Sequence, residues 1–411
     1  MQAVVIAAGE SKRFWPLNHG IHKSQFKLLG KPLIYWALKG LEEDGIQDVC
    51  IVVSKNSSIQ EMLAQENNLD MNVSYVVQEK PLGTGNALWQ AKNFIKEPFV
   101  LLWGNKVGSK ELIKKMIETQ KKGNADAVLV GAEVKNPWEY GILRLEGDTI
   151  VEIVENPEQG TEPSNIGLAG IRILGADFFE YYKSLSSHHE ADLIDATNAY
   201  IKDKNVSLLR AKEQGLTLKY PWDLFGIMDS LFESQKPHIS SSAHVGANVV
   251  MNGSVYVGEN VVIREGTVIE GPVYIGDNCK IGQNNVLRGP LNLETQVRTG
   301  AFMEIKHSIV QEGTVFHSGY IGDSIVGKNC RFGAGFITGN VRLDKEPIHG
   351  LPKLGAIVGD NSAFGIHSGT MPGVMIGSNC KVGPATQVFK DIEDNTMCYA
   401  KFEYSTKKHN S

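Results

Sequence analysis

Long apolar runs are missing from this 411-residue chain. No stretch approaches the roughly 18 residues that span a bilayer, and Met1 to Gly9 reads directly as a buried strand instead of a basic leader. Cysteine is scarce. Cys50, Cys279, Cys330, Cys380 and Cys398 contain no Cys-x-x-Cys pair, so neither a thiolate zinc site nor a disulfide framework is suggested, and a reducing compartment is. An excess of positive charge is also absent. A net charge of -5 argues against a general nucleic-acid surface and offers no cue for a membrane. Together these absences predict a cytoplasmic protein, long enough for two domains that each hold a core.

What is present is a strict period. From Ile239 an aliphatic side chain falls on every sixth residue, through Val245, Met251, Val257, Ile263, Ile269, Ile275, Ile281 and Leu287 to Leu293. The spacing resumes at Val326, Phe332 and Thr338, and again at Val358, Phe364, Thr370, Ile376, Val382 and Val388. A period of six fits neither a helix nor ordinary strand pairing. It fits a solenoid whose flat faces take six residues each, with one inward side chain per face stacked on its counterparts in adjacent coils. Gly246, Gly258, Gly276, Asn278 and Gly282 suit corners that need positive φ or a tight bend. The pattern resembles the hexapeptide-repeat left-handed β-helix found in many acyltransferases, although such a repeat also serves as a rigid prism or oligomerisation stalk.

Residues 1 to about 220 alternate short apolar strands (Ala3–Ala8, Val49–Val53, Phe99–Trp103) with helical stretches (Leu33–Leu41, Gly85–Phe94). That order predicts βαβ units and a mainly parallel sheet, with ligands where strand C-termini meet loops. The first such loop, AAGESKRFWPLN, combines small residues that let backbone N–H groups approach an anion with the fixed charge of Arg13, and Lys23 adds a second cation. Taken alone, it is equally an ordinary strand-to-helix turn.

Read together, GESKRFWPL, the Lys23 segment, QEKPLGTGNAL, WEYGILRLEGDTIVEIVENP, SNIGLAGIRIL and KYPWDLF resemble the sugar-1-phosphate nucleotidylyltransferases, in that family's order. The resemblance implies a Rossmann-like nucleotidyltransferase domain. In it Gly9 and Arg13 hold the nucleoside triphosphate and Lys23 contacts phosphate. Gln78, Gly83 and Thr84 recognise the base, Gly141 and Glu155 line the sugar pocket, and Asp223 ligates Mg²⁺. Three positions depart from the family. Asn105 stands where it has a second metal-binding Asp, Asn156 replaces the Lys of its Glu-Lys-Pro motif, and Leu168 replaces the Asn of its Asn-x-Gly motif. An amide ligates Mg²⁺ through oxygen without supplying charge, so these changes predict a weakened or altered nucleotidyl site.

PWDLFGIMDSLFES, with apolar Leu224, Ile227, Met228, Leu231 and Phe232, reads as an amphipathic joining helix. Beyond it, the stretch from Arg288 to Gly359 resembles the acetyltransferase half of the bifunctional N-acetylglucosamine-1-phosphate uridyltransferases, archaeal-type relatives above all. That resemblance implies His317 as general base and Arg288, Lys306, Tyr320 and Lys353 as the grip on a sugar phosphate, with Asn340 in the sugar pocket. Acetyl-CoA is the co-substrate. An amine must shed a proton as it attacks the thioester, and a neutral imidazole can take it near neutral pH. Arg331 stands where the family has a pocket-lining Asn. His307, His317, His349 and His367 lack the close pair that a β-helix zinc site would need.

The expected organisation is therefore an α/β nucleotidyltransferase domain (1–221), a linker helix (222–236), a left-handed β-helix acyltransferase domain (237–393) and a polar tail (394–411). By analogy the assembly is a homotrimer acting on small phosphorylated sugars. Two alternatives stand beside bifunctional catalysis. One is a nucleotidylyltransferase with an inert solenoid, and the other a non-catalytic scaffold or regulatory subunit.

Overall fold

The computed structural model describes residues 1–407 except Asn67, Ser109, Glu213 and Gln214, so the last four residues of the expected tail lie outside the described residues. Two compact units emerge. The first comprises Met1–Ser11, Gly20–Phe26 and Lys31–Lys219; the second comprises Tyr220–Ser411 together with Lys12–His19 and Lys27–Gly30. The division is not one cut in sequence, because two short pieces of the N-terminal segment pack with the second unit. Among the described residues no helix is long and apolar enough to cross a membrane.

The first unit is built on β1 (Gln2–Ala7), α1 (Leu33–Glu43), β2 (Asp48–Ser54), β3 (Asn72–Gln78), α2 (Thr84–Gln90), β4 (Phe99–Trp103), α3 (Lys110–Gly123), β5 (Ala127–Glu133), the hairpin β6 (Gly141–Glu146) and β7 (Thr149–Glu155), β8 (Ile166–Leu174), α4 (Asp192–Asp203) and β9 (Val206–Arg210). The sheet order is β9-β5-β8-β4-β1-β2-β3. β1 runs parallel to β2 and β4, as the βαβ pattern predicts. β8 runs antiparallel between β4 and β5, which the pattern did not reveal. Near-continuous apolar strands such as AVVIA bury both faces. Val5 and Ala7 pack with α1 residues on one side, and Val4 and Ile6 pack with Ala87 and Leu88 of α2 on the other. The C-terminal ends of β1 and β4 thus share one rim.

In the second unit α5 (Asp223–Ser234) buries Leu224, Phe225, Ile227, Met228, Leu231 and Phe232. The solenoid then stacks in parallel register. One face aligns Ile239, Val257, Ile275 and Leu293. A second aligns Val245, Ile263 and Ile281, and a third Met251, Ile269 and Leu287. Positions from Val257 onward are at most 1% exposed, whereas Ile239 and Val245 of the first coil are 53% and 40% exposed, because a coil buries its apolar residue only against a neighbour. The sixfold register persists through Thr299 and Ile305, then slips, since Leu293 pairs with Val310 and Val310 with Val326. The next step, Val326 to Val358, contains an excursion from Gly339 to Leu354. Its base is closed where Leu354 N–H donates to Asn340 O at 3.0 Å. On the second face rings take over from aliphatics, with Phe316, Phe332 and Phe364 stacked 4.7 and 4.6 Å apart.

At the corners Asn278 takes the expected positive φ, as do Asn248, Asn260 and Asn284, whereas Gly246, Gly258, Gly276 and Gly282 do not. Those glycines are needed for close approach instead. A Cβ on Gly276 would lie 2.9 Å from the backbone nitrogen of Thr295 in the next coil.

Candidate active sites

At the end of β1 the chain turns through exposed Gly9 and half-buried Ser11, the latter with φ of 56°. Ser11 Oγ accepts the N–H of Lys23 at 3.0 Å, so the glycine loop and the Lys23 segment are tied together. His22 caps the short turn Lys23–Gln25, its Nδ1 accepting from Ser24 N–H at 3.2 Å. An acceptor Nδ1 leaves the proton on Nε2, and a Cβ on Gly9 would lie 3.8 Å from that atom, so a neutral N–H donor faces the loop. Burial, reinforced by the Lys23 charge, holds the His22 pKa down to about 3. Sequence reading passed over His22, because nothing in the motif marks its burial. The folded state resists protonation there and the unfolded state does not. Stability is therefore expected to decline as pH falls below about 6.5, by at most ~1.4 kcal/mol per pH unit from this group. Thermal melts from pH 7 to 5 of wild type and His22→Gln check this; the variant should show the shallower decline.

Deeper in the same unit, Lys23 Nζ donates to Leu218 O at 2.8 Å and Asn105 Nδ2 donates to the same oxygen at 2.7 Å. Two residues distant in sequence thus converge on one carbonyl. Asn105 is 2% exposed, and its Oδ1 has no hydrogen-bond partner. A buried acceptor left open suits a cation ligand without charge. Next to it Lys106 is 1% exposed, near Thr217 Oγ1 at 3.2 Å, and burial pulls its pKa down to about 8. Among the described residues no group of three or more His, Cys, Asp or Glu side chains is arranged to hold a metal ion.

The expected base-recognition residues do meet. Gln78 Nε2, at the end of β3, lies 3.0 Å from both Gly83 O and Asn86 Oδ1. Gly83 has φ of 98°, and a Cβ would lie 2.8 Å from Glu190 Cα, so glycine is required before Thr84 opens α2. Asn86 also lines a cavity of about 520 Å³ with Leu82, Trp89, Tyr182 and His188. Gly141 and Glu155 face each other across the β6–β7 hairpin, and a Cβ on Gly141 would lie 2.7 Å from Glu155 Oε2. Asn156, in place of the expected lysine, donates to Glu155 Oε1 at 3.1 Å. Leu168 is half-buried on β8, opposite Gly131. Two residues of the expected set fall in the second unit. Arg13 is exposed in Lys12–His19, and Asp223 opens α5, its Oδ2 accepting Tyr220 N–H at 2.6 Å.

In the solenoid the expected acetyl-transfer residues ride on β10 (Val286–Leu293), β11 (Met303–Val310), β12 (Val315–Gly322) and β13 (Arg331–Thr338). Register stacks Arg288 on Lys306 in one row and Glu304 on Tyr320 in the adjacent row. Arg288 Nη1 donates to Glu304 at 3.0 Å. Asn340, at the base of the excursion, donates to Asp323 Oδ2 at 2.6 Å and lies 3.2 Å from Tyr320 Oη. Asp323 in turn holds His307 Nδ1 at 2.7 Å, and the His307 ring lies 4.8 Å from Phe225 of α5. Against its burial, hydrogen bonds from His307 and Asn340 hold the Asp323 carboxyl below the ordinary range. The His307–Asp323 pair was missed in sequence because the two lie on adjacent coils. His317 is exposed on β12, three positions before Tyr320, and Lys353 is exposed on the excursion. Arg331 is exposed at the start of β13.

Comparison with known proteins follows this division. A nucleotidyl transferase family model matches residues 2–240, and a model of the hexapeptide repeat of succinyl-transferase matches 355–383. A Methanococcus maripaludis (strain C7) protein described as bifunctional protein GlmU is 35% identical over 100% of both chains. A bifunctional sugar-1-phosphate nucleotidylyltransferase/acetyltransferase of Sulfurisphaera tokodaii is 33% identical over 95% of this chain and 98% of its own. Among solved structures, a UDP-glucose pyrophosphorylase from Acinetobacter baumannii is 23% identical, with a TM-score of 0.50 over 57% of this chain and 94% of its own. That likeness concerns the fold alone.

Proposed function

Because this chain belongs to the archaeal-type family of bifunctional sugar-1-phosphate nucleotidylyltransferase/acetyltransferases, we propose that it acetylates glucosamine-1-phosphate in its β-helix and transfers a uridylyl or thymidylyl group to the product in its N-terminal domain. The observation that carries this reading is a match along the whole chain to relatives named for both activities. The enzyme is a transferase of both kinds.

In the acetyl-transfer step the amine nitrogen of the sugar attacks the thioester carbonyl carbon. A C–N bond forms, the C–S bond breaks, and the amine proton passes to His317 and from it to the departing thiolate, so the coenzyme leaves as its thiol. Arg288, Lys306 and Lys353 hold the sugar phosphate by charge together with the Tyr320 hydroxyl, and Asn340 contacts the sugar. Asp323 supports Asn340 directly, at 2.6 Å. The excursion from Gly339 to Leu354 carries Lys353, and its base is closed where Leu354 N–H donates to Asn340 O.

In the nucleotidyl step the phosphate oxygen of the sugar-1-phosphate attacks the α-phosphorus of UTP or dTTP, and pyrophosphate leaves. Gly9 and Lys23 hold the triphosphate, Gln78, Gly83 and Thr84 the base, and Gly141 and Glu155 the sugar. A divalent cation, Mg²⁺ in this proposal, supplies positive charge to the phosphates when bound, and Asn105 Oδ1 is the buried oxygen suited to hold it. The domain limits in this proposal are 1–221 and 237–393, joined by residues 222–236. A homotrimer and a cytoplasmic location, where these phosphorylated metabolites occur, belong to the same proposal.

Purified chain supplied with glucosamine-1-phosphate, acetyl-CoA, UTP and Mg²⁺ is expected to release free thiol and pyrophosphate, scored in separate assays. Thiol without pyrophosphate leaves an acetyltransferase carrying a retired nucleotidyl fold, and neither product from folded protein sinks the proposal.

A further inference from the structure

We propose that Arg172 is a specificity-determining residue of the nucleotidyl site, and that its guanidinium binds an oxyanion of the sugar-1-phosphate substrate. The inference rests on the nucleotidyl reading above and deepens it.

Arg172 lies two residues before the end of β8, between Leu101 of β4 and Leu129 of β5. It is 3% exposed, and neither Nε nor Nη1 has a hydrogen-bond partner. Among the described residues its charge lies near the ring of Trp103, 5.5 Å away, and in the field of Glu155. Buried charges are ordinarily paired, and one left with open donors is a burden on the fold. Burial lowers its pKa to about 10, so it stays cationic at neutral pH.

Its place in the sheet says what the open donors face. Ala169, Ile171 and Ile173 point into the core shared with α1, which leaves Leu168, Gly170 and Arg172 to the other face. There a Cβ on Gly170 would lie 3.6 Å from the Trp103 ring. Trp103 ends β4, two residues before Asn105; Glu155 is a sugar-pocket residue of the proposal above, and Leu168 stands where the family has the Asn of its Asn-x-Gly motif. Arg172 therefore sits one step beneath the sugar pocket with unpaired donors. Next to Glu155, Asn156 stands where the family has a lysine, so one cation is missing from that segment. A carboxylate or phosphate oxygen brought by the substrate completes the site, as charge-assisted hydrogen bonds favour.

Titration calorimetry on the full chain, with N-acetylglucosamine-1-phosphate, glucuronic acid 1-phosphate and UTP as probes, tests this. Arg172→Met is expected to weaken the sugar phosphates by about 10–100-fold while UTP affinity holds. The same change removes an unpaired buried charge, so the thermal midpoint is expected to rise by about 2–4 °C. Arg172→Lys should recover part of the affinity. An equal loss for both sugars assigns the phosphate as the group bound; a larger loss for the uronate assigns the carboxylate. Unchanged sugar-phosphate affinity in Arg172→Met, or a lowered midpoint, overturns the inference and leaves Arg172 as a structural stack on Trp103. If wild type releases pyrophosphate yet Arg172→Met keeps its KM for the sugar phosphate, the inference alone fails. A wild type that binds none of the probes overturns the nucleotidyl reading and this inference with it.

Discussion

Replacing His317 with alanine is expected to cut acetyl transfer by about 10²–10⁴-fold while pyrophosphate release stays at the wild-type rate. The amine of the sugar cannot lose its proton to bulk water as fast as to a side chain held within hydrogen-bond reach. His317 is exposed on β12, on the strand that also carries Tyr320, and Lys306 lies on the neighbouring strand. Its truncation removes no core contact, so folding should be untouched, and circular dichroism with a melting curve separates lost chemistry from lost structure. The variant should still bind glucosamine-1-phosphate, because Arg288, Lys306 and Lys353 remain. An intact acetyl-transfer rate in His317→Ala would sink the assignment, and the His307–Asp323 pair would be the next base to test, since its imidazole is already oriented by a carboxylate at 2.7 Å.

The second large effect concerns position 105. Asn105→Asp is expected to raise Mg²⁺-dependent pyrophosphate release by about tenfold or more, because it adds a full charge where the amide offers only an oxygen. A reading independent of turnover comes from stability. Asn105 Nδ2 now donates to Leu218 O, and a carboxylate would face that carbonyl without a proton, at a cost of about 1–3 kcal/mol. Lys23, bonded to the same carbonyl, offsets part of this. In chelator the variant should therefore melt below wild type, and Mg²⁺ should restore it more than it stabilises wild type. Equal Mg²⁺ responses in the two proteins would show that position 105 does not meet the cation.

Much of the architecture was legible before any coordinates. A period of six is a local property, repeated until chance cannot produce it, and the inward rows from Ile239 to Leu293 stack as that period requires. The βαβ alternation likewise announced the parallel strands, since each buries both faces and so carries unbroken apolar residues. The joining helix followed from the spacing of Leu224, Ile227, Met228, Leu231 and Phe232. The residues proposed to carry chemistry, such as His317 and Lys23, were singled out through motif resemblance.

The antiparallel course of β8 was not legible, because strand direction depends on where the hairpin before it returns the chain. The slip of register after Ile305 escaped notice too, since a coil shortened at its corner leaves every residue type plausible. Burial decides the rest. Arg172, Lys106 and His22 look like surface residues in a string of letters, and only the packing around them removes their water and shifts their charge. Pairs across coils, such as Asp323 with His307 and Asn340, depend on which strands lie side by side. Sequence periodicity records what each segment must bury, whereas hydrogen bonds, desolvation and open donors arise between segments, and those exist only once the chain has folded.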